Sequence, residues 1–377
     1  MTRSLPSWPN ERQSALGDAE FVIERVAEAL APWTRASEPY AQALSKGRHC
    51  RWLLPADGRK ARKVLAGWRP YGLASYLKWF AARSLTRLPV AAGRVPGLGK
   101  LPPLPVLDGA GLGLPEAGPI SLVVYVGTPG HQRKAVCTLV NSDGHASAII
   151  KLPLAKGARA SLARETENLV RLQVERPDLP VPRALPLDDG CGVHGQTILR
   201  GRPSGREFSA SHANFLLGLP GDGSIDLTGF ATALHQRAVA AKLPASVLAS
   251  LERVRGQVPA VWLHGDFAPW NLLINAMGQL VAFDWEDGQS GGLPVWDVAH
   301  FHVQQAFLFG GGEPPLARME ANAAYHSYLE GMALTVEQGR VLFGLYCIFN
   351  AVKALADAQV ALASFLLEQI ETETAGL

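Results

Sequence analysis

The chain has 377 residues, of which 47% are hydrophobic, so it contains enough apolar material for two or three compact units and is not a disordered chain. The formal net charge is +3, but residues 1–100 hold 17 Lys/Arg against 7 Asp/Glu, whereas the remaining residues hold 19 against 26. We therefore expect the basic N-terminal part and the acidic remainder to have different roles.

The four cysteines are far apart, and no Cys-x-x-Cys pair or nearby histidine suggests a metal site; they are Cys50, Cys137, Cys191 and Cys347. This pattern predicts free thiols in a reducing compartment. Residues 1–13 carry prolines and charges without the apolar core of a secretory signal. We expect a cytoplasmic protein.

The N-terminal part begins with residues 17–33, whose apolar side chains recur at three- and four-residue spacings. This periodicity predicts an amphipathic helix, with Asp18 as its N-cap and Pro32 as its stop.

The stretch Lys46–Lys100 contains Asp57 as its only acidic residue, and residues 71–88 within it mix aromatic with basic side chains. Two interpretations remain open: a helix with a solvated basic face, or a basic amphipathic helix on an anionic membrane surface or a polyanionic ligand. We predict a basic, mainly helical region over residues 1–88.

Residues 89–119 form a predicted linker, because prolines and glycines recur there without hydrophobic periodicity. Gly109, Gly111 and Gly113 superficially resemble a dinucleotide-binding fingerprint. No strand precedes them, and Pro115 stands where the helix would begin, so a Rossmann domain is not predicted.

Residues 120–200 alternate between strand-like and turn-like segments. Three apolar runs predict an antiparallel meander, one helical pattern follows, and two short runs complete a five-stranded sheet. The predicted segments are strands 120–126, 135–140 and 146–152, helix 161–173, and short strands within 181–187 and 196–199.

Residues 201–377 are dominated by helical patterns, except for an apolar strand pair near residues 261–283. The most apolar run, Phe343–Leu367, is interrupted by Lys353 and Asp357 and predicts a buried helix rather than a membrane span.

The most informative segment lies in that strand pair. It contains His264-Gly265-Asp266, then Asn271 five residues after the aspartate, then an apolar run that ends in Asp284. Phosphoryl transfer needs a group that orients the attacking hydroxyl and oxygen ligands that hold Mg²⁺ on the phosphates. The two apolar runs predict a hairpin that brings Asn271 and Asp284 together at its open end.

This motif resembles the aminoglycoside phosphotransferase and choline-kinase-like families, which are relatives of the protein kinases. The resemblance implies an α+β, bilobal fold with a small antiparallel-sheet N-lobe and a mainly helical C-lobe. It implies that Asp266 is the catalytic base and that Asn271 and Asp284 are Mg²⁺ ligands. His264 and Asp297 are then structural residues that hold the catalytic loop.

The same resemblance implies that Lys151 binds the ATP phosphates and that Glu165 is the helix carboxylate that positions this lysine. Glu165 is favoured over Glu167 because it keeps the spacing Glu-x-x-x-Leu-x-x-Leu. The glycine-containing loop at Gly127, Thr128 and Gly130 is expected to cover the phosphates, although it departs from the Gly-x-Gly-x-x-Gly pattern.

Two further ATP contacts remain open at this point. Arg133 or Lys134 adds charge to the phosphate-covering loop, with the choice between them undecided. The segment that links the lobes, including Ile198 and Arg200, is expected to meet adenine with its backbone groups. ATP would then occupy the cleft of the kinase-like fold, which consists of the N-lobe, residues 120–200, and the C-lobe, residues 201–377.

The acceptor is expected to be a hydroxyl of a small molecule: a sugar, an amino alcohol, an aminoglycoside-like compound or a glycan precursor. Only twelve residues separate Asp284 from Asp297, which leaves no room for a protein-kinase activation segment.

The basic N-terminal region favours an anionic acceptor and leaves peripheral attachment to the inner membrane face open. A nucleic-acid partner is disfavoured, because no recognition motif accompanies the basic cluster.

Two alternatives differ in class. A catalytically degenerate, nucleotide-binding module docked through the basic region is disfavoured, because Asp266, Asn271 and Asp284 are all present. A serine hydrolase is suggested by the Gly-x-Ser-x-Gly pattern of residues 288–292, but the following Gly-Gly-Leu-Pro does not begin a helix.

Overall fold

A computed structural model describes residues 17–38, 41–46, 49–55, 57–67, 73–85, 102–114, 118–187, 192–310 and 312–374. The chain forms two compact units. The first comprises Met1–Glu175 and Val181–Arg200, and the second comprises Arg176–Pro180 and Gly201–Leu377.

The first unit is built on an antiparallel sheet whose strand order is β1-β4-β5-β6-β7-β9-β8, with β3 also pairing β5 and β2 pairing β3. The strands are β1 Thr34–Ser37, β2 Ala41–Lys46, β3 His49–Pro55, β4 Pro105–Asp108, β5 Pro119–Val126, β6 Lys134–Val140, β7 Ala146–Pro153, β8 Ala184–Leu185 and β9 His194–Thr197.

Four helices of the described residues belong to this unit: α1 Asp18–Leu30, α2 Gly58–Gly67, α3 Leu73–Leu85 and α4 Lys156–Glu175. Helix α1 packs on β3 and β4, α2 packs on β3 and β5, and α4 packs on β7 and β9.

Strand β5 explains why helices lie on both faces of the sheet. Leu122 and Val124 belong to one hydrophobic cluster, together with residues of α1. Val123 belongs to a second cluster, together with Ala61 and Leu65 of α2. Since successive side chains of a strand point to opposite faces, an almost continuous apolar run requires cover on both faces.

The N-terminal region differs from its prediction. It contains the expected helices, but residues 34–37, 41–46 and 49–55 are strands that join the same sheet as the meander. The predicted linker is likewise not wholly irregular, since β4 pairs with both β1 and β5. These short strands lack strong alternation in sequence. Strands β3 and β4 pair with β5, and they in turn offer a paired edge to β2 and β1.

Several boundaries also differ. Helix α1 has Gly17, not Asp18, as its N-cap, and a 3₁₀ turn follows it at Ala31–Trp33. Helix α4 extends beyond the predicted 161–173 at both ends. Residues 86–101 and 115–117 of the predicted N-terminal region and linker lie outside the described residues.

The second unit contains eight helices and six strands among its described residues. The strands form two three-stranded sheets, β10-β13-β14 and β11-β12-β15. The elements in chain order are β10 Arg202–Pro203, α5 Ala210–Leu217, β11 Pro220–Asp226, α6 Leu227–Ala240, α7 Ala245–Arg253, β12 Gln257–Leu263, β13 Leu272–Ile274, β14 Leu280–Ala282, β15 Gln289–Gly292, α8 Trp296–Phe309, α9 Pro315–Glu320, α10 Ala323–Gly331, α11 Val336–Ala356 and α12 Val360–Thr374.

One helix of the described residues, α11, is long and apolar enough to cross a membrane by length and composition. More than half of its most apolar window is buried against the rest of the second unit, where it packs on α6, α8 and α12. This burial is typical of a core helix. The apolar run predicted as one helix over Phe343–Leu367 is split between α11 and α12, and Ala358 between them adopts a positive φ of 56°.

Candidate active site

In the first unit, a buried ion pair joins β7 to α4. Nζ of Lys151 lies 2.6 Å from Oε1 and 2.7 Å from Oε2 of Glu165. Both residues are at most 5% exposed. Glu167 is exposed on the same helix, so the geometry selects Glu165 as the carboxylate that holds the lysine.

The loop between β5 and β6 is the predicted phosphate-covering loop. The N–H of Gly127 donates to the carbonyl of Lys134 at 2.9 Å. A side chain at Gly127 would lie 3.1 Å from that same carbonyl oxygen, so glycine suits this close approach. Arg51 of β3 donates to the hydroxyl of Thr128 and to the carbonyl of Val126, both at 3.2 Å.

Arg133, at the end of this loop, has a structural partner. Its guanidinium donates two hydrogen bonds to Asp18, at 2.7 and 2.8 Å, and Asp18 also accepts the N–H of Cys50 at 2.6 Å. Burial alone would raise the pKa of Asp18, but the bonds from Arg133 and Cys50 lower it below its ordinary value. Because its guanidinium is engaged with Asp18, Arg133 serves to anchor α1 to the sheet.

The predicted adenine-binding segment lies after β9. Ile198 is half-buried there, and Arg200 is exposed with Nη2 donating to the carbonyl of Ala146 at 3.1 Å. The adenine contacts of Ile198 and Arg200 stay predictions.

In the second unit, Asp297 at the start of α8 fixes the loop that follows β12. Its carboxylate accepts the N–H of His264 at 2.7 Å and the N–H of Gly265 at 3.0 Å. Burial raises the pKa of Asp297, and the two N–H donors oppose the rise. The bracing role predicted for Asp297 has this physical basis.

The ring of His264 is buried and spans the base of the same loop. Its Nδ1 lies 3.3 Å from the backbone N–H of Asp266, so Nδ1 is the acceptor. Its Nε2 then carries the proton and donates to the carbonyl of Phe283 at 2.9 Å. His264 therefore ties the loop to the end of β14, as a structural residue would.

Asp266 is held by side chains on both of its carboxylate oxygens. Nδ2 of Asn271 donates to Oδ2 at 2.8 Å and also to the backbone carbonyl of Asp266 at 2.9 Å. Nε2 of His300 lies 2.9 Å from Oδ1. The Asp266 side chain is 35% exposed, so the held carboxylate remains accessible.

Asn271 and Asp284 flank the open end of the β13–β14 hairpin, as the sequence predicts. Leu272 pairs with Ala282, and the N–H of Phe283 donates to the carbonyl of Asn271 at 3.1 Å. Asp284 adopts the left-handed conformation, with φ 72° and ψ 59°, which aspartate tolerates better than most residues.

These two residues fit Mg²⁺ by their chemistry. Because Nδ2 of Asn271 is bound to Asp266, its Oδ1 faces the other way, and an amide oxygen with a carboxylate is a hard oxygen donor set. Among the described residues, no group of three or more His, Cys, Asp or Glu side chains is arranged to hold a metal ion. Mg²⁺ commonly keeps few protein ligands and completes its shell with phosphate oxygens and water.

The sequence did not assign His300 to the site. Its ring nevertheless contacts Asp266 directly. A signal was present: His300 lies three residues after Asp297 on α8, and residues at that spacing share a helix face.

The serine-hydrolase pattern is excluded by the local structure. Ser290 lies within β15, which pairs with β12, whereas a nucleophile elbow requires a turn between a strand and a helix.

An antiparallel-sheet unit with a buried Lys–Glu pair, and a helical unit with a His-x-Asp loop braced by a helix aspartate, define a kinase-like phosphotransferase. Residues 138–335, more than half of the chain, match the model of the phosphotransferase enzyme family APH. The chain belongs to this family.

Solved structures with a similar fold include the macrolide 2'-phosphotransferase MphH of Brachybacterium faecium, at 15% identity, 69% coverage of this chain, 94% coverage of that chain and a TM-score of 0.48. The choline kinase LicA of Streptococcus pneumoniae is 13% identical, with coverages of 65% and 92% and a TM-score of 0.41. An ethanolamine kinase of Plasmodium vivax is 13% identical, with coverages of 67% and 81% and a TM-score of 0.41. A search of curated proteins gave no match.

Proposed function

We propose that this phosphotransferase uses ATP with Mg²⁺ and transfers the γ-phosphoryl group to a hydroxyl of a small molecule. The observation that carries the proposal is the carboxylate of Asp266, which is accessible and bound to Asn271, the residue that flanks the open end of the β13–β14 hairpin with Asp284. Bound Mg²⁺ would neutralise charge on the phosphates.

Each residue then has a distinct task. Asp266 accepts the proton of the attacking hydroxyl, and Asn271 and Asp284 hold the metal through oxygen. Lys151 binds phosphate oxygens, and Glu165 holds the ammonium group of Lys151 in place. Both groups are buried, where an unpaired charge would be costly. His264 and Asp297 keep the loop in the shape that this chemistry requires.

A small acceptor is supported by the segment between Asp284 and Asp297. Its residues form a 3₁₀ turn, Trp285–Asp287, and the strand β15, which leaves no activation segment for a peptide. Sugars, amino alcohols, aminoglycosides and glycan precursors form the panel of acceptors to test.

An anionic acceptor is proposed from the charge of the basic N-terminal region. Nζ of Lys60 lies 2.5 Å from the hydroxyl of Ser121, and Nζ of Lys63 lies 2.5 Å from the carbonyl of Asp143. Both lysines therefore have structural partners, whereas Arg59 is exposed. Deleting residues 1–100 would also remove strands of the sheet, so Arg59→Glu is the better test. Unchanged selectivity between neutral and anionic acceptors in this variant would contradict the proposal.

Attachment to an anionic membrane surface is a separate proposal for the same region. Helix α3 exposes Tyr76, Leu77 and Phe80, which are 45%, 58% and 57% accessible. We expect the protein to co-sediment with phosphatidylglycerol vesicles but not with phosphatidylcholine vesicles, and Leu77→Asp to abolish this binding. Met277→Asp, at a 77% exposed position of the second unit, is the control. Equal binding of the two variants would rule out α3 as the membrane contact.

The nucleotide site is tested first by thermal shift with ATP, ADP and GTP, each with and without Mg²⁺. A ligand that binds only the folded state at a hundredfold excess over Kd adds about 2.7 kcal/mol of stability. Asp284→Asn should lose the Mg²⁺-dependent part of the shift, since asparagine keeps the left-handed backbone and removes the charge. The control is Asp287→Asn, an exposed neighbour. A parent protein that shows no shift with any nucleotide would contradict the proposed ATP site.

Catalysis is tested with Asp266→Asn. Loss of a general base should lower kcat by about 10²–10⁴-fold while the nucleotide-dependent thermal shift persists. Slow hydrolysis of Mg·ATP, with water as acceptor, provides an assay before the acceptor is known. Turnover equal to that of the parent would contradict the role of Asp266.

A further inference from the structure

His300 lies on α8 and contacts the carboxylate oxygen of Asp266 that Asn271 does not bind. Its Nε2 is 2.9 Å from Oδ1, while Nδ2 of Asn271 is 2.8 Å from Oδ2. The two donors therefore hold the two carboxylate oxygens separately. A carboxylate that is bound at one oxygen can still rotate about its broad terminal torsion, but one bound at both oxygens cannot.

His300 is itself held by a second residue. The hydroxyl of Tyr346, on α11, lies 3.1 Å from Nδ1 of His300, and its ring packs on that of Trp296 at 5.1 Å. Tyr346 is fully buried, and burial raises its pKa well above the ordinary value, so it keeps its proton. A side-chain hydrogen bond from Gln304 reaches the same hydroxyl.

These contacts define the direction of the hydrogen bonds. The carboxylate of Asp266 can only accept, so Nε2 of His300 carries a proton and donates to it, and Nδ1 of a neutral ring then accepts the hydroxyl proton of Tyr346. The His300 side chain is only 12% exposed, whereas that of Asp266 is 35% exposed, so the chain of donors ends at the accessible carboxylate.

We propose that His300 is a positioning residue that, together with Asn271, fixes the carboxylate plane of Asp266 so that its remaining lone pairs face the acceptor hydroxyl. Tyr346 selects the tautomer of His300 that can donate to Asp266. The inference rests on the proposed role of Asp266 as the base. A misplacement of about 1 Å in such a group can cost roughly 10²-fold in rate.

The contact itself is tested without turnover by NMR of the full-length protein labelled with ¹⁵N-histidine, in which His300→Gln identifies the ring signals of His300. We expect Nε2 to be protonated and Nδ1 unprotonated. We expect Asp266→Asn to shift the Nε2 signal and Tyr346→Phe to shift the Nδ1 signal. A proton on Nδ1, or an Nε2 signal that is insensitive to Asp266→Asn, would overturn the inference.

The functional test uses the Mg·ATP hydrolysis assay and two amides that differ by one methylene. The amide of His300→Gln reaches the position of Nε2, whereas that of His300→Asn is too short. We expect His300→Asn to lower kcat by about 10²-fold with the KM for ATP within twofold of the parent, and His300→Gln to recover at least a tenth of the parent kcat. Melting curves of the three proteins check that each variant is folded.

A double variant separates the inference from the proposed function. If His300 acts only through Asp266, adding His300→Asn to Asp266→Asn should cause no further loss. The inference fails if His300→Asn is within threefold of the parent while Asp266→Asn loses a hundredfold. The proposed function itself fails if Asp266→Asn retains the activity of the parent.

Discussion

Asp18 and Arg133 are 115 positions apart in sequence, and two hydrogen bonds of 2.7 and 2.8 Å join their side chains. The Arg133 side chain is 3% exposed and that of Asp18 is 11% exposed. This pair joins the N-terminal helix α1 to the loop predicted to cover phosphate, so the N-terminal region supports part of the candidate site.

We expect Asp18→Ala to destabilise the protein by about 3–5 kcal/mol, because it leaves a buried guanidinium without its counter-charge. Urea unfolding of the first unit measures the loss. Glu28→Ala is the control, since Glu28 pairs with Arg25 at the surface and should cost at most about 1 kcal/mol. Equal losses in the two variants would mean that the Asp18–Arg133 pair contributes no more than a surface pair.

A second prediction compares two glutamates of α4. Glu165→Gln should weaken Mg·ATP turnover by about 10²-fold, because the buried ammonium of Lys151 loses the carboxylate that positions it. Glu167→Gln changes an exposed carboxylate two residues away and should leave turnover unchanged. Similar kinetics for both variants would remove Glu165 from the site.

The sequence predicted the parts of the fold in which pattern and chemistry agree. The three central strands are apolar runs bounded by turn residues, and the motif from His264 to Asp284 has a fixed spacing, so the meander and the hairpin were both predicted. The kinase-like architecture followed from the family resemblance.

The sequence could not predict contacts that depend on tertiary partners. The strands β1 and β4 have four residues each, too few for a clear alternation, and they form only because β5 pairs with β4. Either Arg133 or Lys134 was expected to add charge near the phosphates, and nothing in the sequence indicates that Arg133 binds Asp18, which lies 115 positions away. His300 was missed because its ring meets Asp266 across a loop.

The backbone at Gly265 provides a third prediction. Gly265 has a φ of 83°, and a Cβ there would lie 2.3 Å from the carbonyl oxygen of Asp287. A left-handed backbone alone costs a residue with a Cβ about 1–2 kcal/mol of stability. Because of the additional steric clash, Gly265→Ala should destabilise the protein by more than this and should displace the loop that carries Asp266. Gly278→Ala, at φ 78° with open space around it, is the matched control. We expect the Mg·ATP hydrolysis rate to fall in the first variant only, and a fall of equal size in both would contradict the steric argument.

The last prediction concerns stability at mildly acidic pH. His212 and His302 lie in an aromatic cluster of the second unit, where the ring centroids of Phe208 are 5.4 and 5.9 Å from theirs. Burial lowers the pKa of His212 to about 4, and burial together with the charge of Arg318 lowers that of His302 to about 3. Among the described residues, neither ring nitrogen of His302 has a hydrogen-bond partner.

The direction in which stability changes with pH follows from proton binding. Between the folded pKa values and the unfolded value of about 6.5, the unfolded chain binds protons that the folded chain does not, so stability is complete above about pH 6.5 and falls as the pH is lowered. At pH 5 each buried ring should lower the free energy of unfolding by about 2 kcal/mol. Urea unfolding at pH 7 and at pH 5 measures how much the free energy of unfolding drops between the two. His302→Phe should halve this drop approximately, whereas His326→Gln, at an exposed ring, should leave it unchanged. A variant with Phe at position 302 that loses as much stability as the parent on acidification would show that the pH dependence has another source.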